Sequence, residues 1–253
     1  MADYKPRTPT HTVAGARASA SPAIDEGLRA YMLGVYNHMG LGLLITALTA
    51  WFTFSVSFTG APGALQMTEI GAVLFNSPLK WLVILAPLGM VFFLSFRVHK
   101  MSFPAARGTF YAYAALVGLS LGILFAVYTA TSLTQVFLIT ATTFGALSLY
   151  GYTTKRDLTA WGSFLFMGLI GIILAMVVNI FMASPALQFA INAIGVLIFA
   201  GLTAYDTQKI KEIYYVGDSA AVAGRKSIMG ALRLYLDFLN MFLFLLQFLG
   251  NRE

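Results

Sequence analysis

The sequence contains no cysteine, which excludes disulfide frameworks, thiolate metal centres and cysteine nucleophiles. Charge is scarce as well. Asp, Glu, Lys and Arg make up 10% of the 253 residues, against about 25% in a typical soluble domain. So little charge cannot cover the surface of a soluble domain of this length, and the deficit excludes an ordinary cytosolic enzyme, a disordered protein and a fibrous one. Histidine occurs three times, as His11, His38 and His99, too scattered for a zinc site. No HExxH, Walker A or GxGxxG phosphate pattern is present, so neither a catalytic metal nor a small-molecule cofactor is expected. Nothing resembles a nucleic-acid module.

What the chain has is apolar length. Hydrophobic residues make up 58%, and the mean hydropathy is +0.78. The apolar residues come in long blocks, not in the alternation an outer-membrane barrel needs. A bilayer core takes about 20 apolar residues per helix. The blocks then predict an all-α, polytopic membrane protein with seven spans, over 31–58, 79–97, 109–129, 133–152, 158–182, 187–205 and 231–250. Residues 1–27 are polar and rich in Ala, Ser, Thr and Pro, with Lys5, Arg7 and Arg17. They lack the apolar core of a signal peptide, and Asp3, Asp25 and Glu26 argue against a mitochondrial presequence. The sequence therefore divides into a disordered cytoplasmic tail, 1–27, and a transmembrane domain, 28–253.

Orientation follows from the basic residues. With seven spans, fourteen of the sixteen Lys and Arg fall on the side of the N-terminus, and only Lys80 and Arg252 fall on the other. Positive charge accumulates on the cytoplasmic side, which predicts a cytoplasmic N-terminus and an external C-terminus. A mistaken span would scramble this alternation. The net charge of +6 thus points to anionic membrane lipid as the partner.

Gly118-Leu119-Ser120-Leu121-Gly122 fits the GxSxG nucleophile pattern. That pattern requires a strand-to-helix elbow and a nearby histidine, and here it lies inside an apolar helix with neither. Gly118 and Gly122 read better as a small-residue packing face. A retinal protein would need a lysine in the last span, and 231–250 has none. The chain is expected not to be an enzyme.

Two aspartates stand out, because a charge at the bilayer centre costs about 2.5–3.5 kcal/mol. Asp206 ends the sixth span and Asp237 lies within the seventh. Arg233, Asp237, Asn240 and Gln247 share one helical face, as do Asn192, Thr203 and Asp206. Lipid-facing helices do not carry such stripes, so both are expected to face inward. If the sixth helix runs a turn past Tyr205, the two carboxylates reach similar depths. Adjacent carboxylates repel when both are ionised, so the pair is expected to share a proton near neutral pH. As hard oxygen ligands they suit Ca²⁺. The plainer alternatives are a solvated interfacial charge at Asp206 and an i, i+4 pair of Asp237 with Arg233. Arg97, ending the second span, is either a snorkelling flank residue or a countercharge to one aspartate when the path is closed.

Ala204-Tyr205-Asp206-Thr207-Gln208-Lys209-Ile210 and Leu234-Tyr235-Leu236-Asp237-Phe238-Leu239-Asn240-Met241-Phe242 resemble the aspartate motifs of the Bax inhibitor-1/YccA family, in its bacterial branch. The resemblance implies seven helices with the last in the middle of the other six. It implies a pH-sensitive calcium leak in the inner membrane, with Asp206 and Asp237 as the di-aspartyl proton sensor and cation ligands and Arg97 as the gating countercharge. Ca²⁺ would be the transported or transiently bound ion. It also implies an alternative, a regulatory protein that binds the membrane protease FtsH through its N-terminal tail. The stretch Val216–Ile228 reads as a longer loop than the family's simplest members have. The loop 59–80 is long and suggests no function.

Overall fold

The computed structural model describes residues 22–61 and 63–251. Among them seven helices are long and apolar enough to cross a membrane. In chain order the elements are α1 (Pro22–Ser57), a small hairpin of β1 (Phe58–Thr59) and β2 (Gln66–Met67), α2 (Glu69–Gly71) and a π-turn (Ala72–Asn76). Then come α3 (Leu79–Arg97), a 3₁₀ turn (Val98–Lys100), α4 (Phe103–Leu121) and α5 (Leu124–Val127), which prolongs the α4 span. The rest is α6 (Ala130–Thr153), α7 (Thr159–Met182), α8 (Pro185–Glu212) and α9 (Ala220–Leu249).

All seven expected spans have a helix, but the last two helices are longer than their apolar blocks. α8 runs to Glu212 instead of stopping at 205, and α9 starts at Ala220 instead of 231. The connection between them is therefore 213–219, and the long loop expected over Val216–Ile228 is mostly helix. Hydropathy marks where a helix meets lipid, whereas Lys209, Lys211, Arg225 and Lys226 sit on helical turns that carry polar side chains. The residue-27 boundary falls inside α1, which already begins at Pro22. Residues 1–21, with most of the expected tail, lie outside the described residues, as do Arg252 and Glu253.

Serine and threonine set the helix starts. Ser102, Thr129, Ser184 and Ser219 each accept a hydrogen bond from a first-turn backbone N–H of α4, α6, α8 and α9. Such caps satisfy donors that have no partner within the helix. The 59–80 segment is a compact cover on the end of α1. Thr68 donates to the Val56 carbonyl and caps α2, and Phe58 pairs with Met67 across the hairpin.

The Gly118–Gly122 face lies against α1. A Cβ at Gly118 would collide with Thr49 Oγ1 and the Thr46 carbonyl, and one at Gly122 with Thr53. Small residues let two membrane helices approach closely. Ser120 between them donates to the Val83 and Leu116 carbonyls, so its hydroxyl is used in helix packing.

α9 is the centre. In its most apolar stretch 67% of residues are buried, against 11% in α3 and in α7. It packs on α1, α4, α6 and α8, while α3 packs chiefly on α4 and α7 on α8. One end of the bundle gathers the basic connections. Gln208 bonds the Arg156 carbonyl, Lys211 the Tyr152 carbonyl, Arg225 the Met101 carbonyl and Lys226 the Ile213 carbonyl. At the opposite end Asn251 bonds Thr129 and Ser132.

Candidate functional site

Since α7 packs on α8 and stands off from α9, a space remains among the three helices. It is a cavity of about 800 Å³. α8 lines it with Phe199, Leu202, Tyr205 and Asp206, and α9 with Arg233, Leu236, Asp237, Asn240 and Phe244. Positions 233, 237, 240 and 244 recur at helical spacing, so one face of α9 supplies its arginine, carboxylate, amide and aromatic in succession. α7 contributes mainly apolar walls, with Ser163 as its hydroxyl.

The charged end of this cavity brings three side chains together. Asp237 is 4% exposed, and the Asp206 side chain is 17% exposed. Both carboxyl groups line this same cavity. Arg233 Nη1 stands 3.9 Å from Asp206 Oδ1, at the outer limit of an ion pair, with its side chain 53% exposed. Asp237 Oδ2 is buried and has no hydrogen-bond partner among the described residues. A buried, unpartnered carboxylate oxygen is costly. Two carboxylates lining one poorly solvated cavity repel each other when both are charged.

The two aspartates meet because α8 continues beyond Tyr205. Asp206 lies six residues, about 9 Å, before the end of α8. Of the expected stripes, Asn240 lines the same cavity. Gln247 and Asn192 lie further along, where Gln188 Nε2 donates to both Asn192 Oδ1 and Gln247 Oε1. Thr203 instead bonds the Phe199 carbonyl within its own helix.

Arg97 is not brought to this group. It is exposed at the end of α3 and forms no ion pair among the described residues. The structure pairs Asp206 with Arg233 in its place. Arg233 was legible only as the i, i+4 neighbour of Asp237. The missing information was the height of α8 beside α9, which sets the arginine against the other aspartate.

No group of three or more His, Cys, Asp or Glu side chains that could hold a metal ion occurs among the described residues. Two carboxylates fall well short of the six to eight oxygens that Ca²⁺ takes. Such a donor set suits passing contact, with water completing the shell.

Comparison with known proteins agrees with this architecture. The family model described as inhibitor of apoptosis-promoting Bax1 matches residues 28–253. The chain is 45% identical to the inner membrane protein YbhL of Escherichia coli, over 90% of this chain and 94% of that protein. It is 46% identical to a Caulobacter vibrioides protein, over 92% and 94% of the two. A Rickettsia prowazekii protein is 45% identical, over 93% and 95%.

Proposed function

Because the chain belongs to the Bax inhibitor-1/YccA family of membrane proteins, we propose that it is a pH-sensitive cation leak of the inner membrane, with Ca²⁺ as its ion and Asp206 and Asp237 as gate and transient ligands. The observation that carries this reading is the buried carboxylate pair opening on the 800 Å³ cavity, with Asp237 Oδ2 unpartnered. A protein with a purely structural use for these residues would pair that oxygen. In the closed state one shared proton leaves the carboxylate pair with a single negative charge, which Arg233 balances. Losing that proton leaves net negative charge facing the cavity, which draws a divalent cation inward and competes for Arg233. The reading places the N-terminus in the cytoplasm and the C-terminus outside, and it assigns no chemical transformation to the protein.

Calcium flux into proteoliposomes across a pH series tests it. Asp206→Asn and Asp237→Asn are each expected to flatten the pH dependence. The double variant should add little, because groups in contact act as a unit. If the single variants keep the parental pH profile, the carboxylate pair is no gate. The alternative in which the protein binds and regulates the FtsH protease would then lead.

A further inference from the structure

A second cavity, of about 350 Å³, opens at the basic end of the bundle. It lies between the 3₁₀ turn, the end of α8 and the first turns of α9. His99, Arg225, Lys226 and Arg233 line it, over a floor that includes Ile210 and Met229. Asp218 pairs with Lys226 and is the acidic group held against this cluster. The other cations are largely uncommitted. Arg225 Nη1 makes a 3.4 Å contact to the Met101 carbonyl, and Arg233 reaches Asp206 only at 3.9 Å. Three cationic side chains and His99 converge on one hollow; Lys226 is held by Asp218 and Arg233 loosely by Asp206, which leaves Arg225 without a carboxylate partner among the described residues. Gathering like charges in one hollow costs repulsion, which a bound anion would relieve.

We propose that this hollow is a binding site for a phosphate group, carried by an anionic lipid headgroup or by free phosphate. Arg225 and Arg233 each present planar, forked N–H donors suited to phosphate oxygens. His99 and Lys226 supply further donors. Arg233 lines both this hollow and the carboxylate cavity. A phosphate bound here therefore competes with Asp206 for one guanidinium and reports the state of the cytoplasmic surface to the aspartate pair. Binding itself stands apart from the cation-leak reading, and only the coupling rests on it.

The experiment has two arms, both on the full chain. In the first, protein in zwitterionic detergent is titrated with inorganic phosphate by calorimetry. In the second, protein in nanodiscs of phosphatidylcholine, with or without phosphatidylglycerol, is released into native mass spectrometry to count retained anionic lipid. Saturable phosphate binding identifies a free-phosphate site. Selective retention of phosphatidylglycerol without phosphate affinity identifies a headgroup site. In whichever arm binds, Arg225→Gln should weaken binding about tenfold, the loss expected for one charge-assisted contact. Arg225→Lys, which keeps the charge but loses the fork, should fall between the parent and Arg225→Gln. His99→Gln, at an exposed position, should weaken it about threefold through loss of the imidazole N–H contact. The melting temperature of each variant is read in the same detergent, so a misfolded Arg225→Gln is recognised and His99→Gln then decides. Binding in neither arm overturns the proposal. So does parental affinity in both well-folded variants.

Discussion

Asp237 and Arg233 show how one side chain can be used by two partners. Their spacing of four residues on α9 suggests a local pair, yet the arginine leaves that neighbour and lies toward Asp206 across the helix interface. The position of α8 makes the difference. A prediction separates the two arginines. In proteoliposomes, Arg233→Gln should raise basal calcium leak several-fold, since a displaced countercharge at partial exposure is worth about 1 kcal/mol. Arg97→Ala should leave basal leak within about twofold of the parent, as expected for an unpaired surface residue. The reverse ranking would restore Arg97 as the countercharge. Both aspartates and their inward direction could be read from the sequence, because a carboxylate in an apolar block has few other reasons to exist. The identity of their arginine could not, because it depends on a height difference between helices that no single-helix pattern contains.

At the level of elements, the start signals were present in the sequence but were outweighed by hydropathy. Ser219 stands before α9 as a cap, twelve residues ahead of where the apolar block begins at 231. Reading caps before apolarity would have found the true start. The end of α7 carries a different signature. Ala183 closes the helix in the left-handed region, at φ 47°, which costs a residue with a Cβ about 1 kcal/mol. The Asn179 side chain holds this turn by accepting from the Ser184 N–H and donating to Gln188. Ala183→Gly relieves the strain and should raise the melting temperature by about 2–4 °C, the shift expected for roughly 1 kcal/mol in a chain of this size. A lower melting temperature would mean that the glycine's added freedom in the unfolded chain outweighs the relief.

Across the whole molecule, the basic connections meet at one end, and that gathering underlies the proposed orientation. Alkaline phosphatase fused after the C-terminus should be active, and a cytoplasmic reporter at the same place inactive. The opposite result would require either an even number of crossings or an external N-terminus, and a second reporter at the N-terminus separates the two. The packing has a further consequence for how the protein is made. α1, α3 and α4 pack among themselves, and so do α6, α7 and α8, while α9 touches members of both groups. Among the described helices α9 is also the last in chain order. α1 touches α8, and Tyr36 Oη bonds Ser148 Oγ, so the two groups meet without it, but the faces that α9 covers have no other helix to bury them. A chain interrupted before residue 220 is therefore expected to leave its interior unfilled.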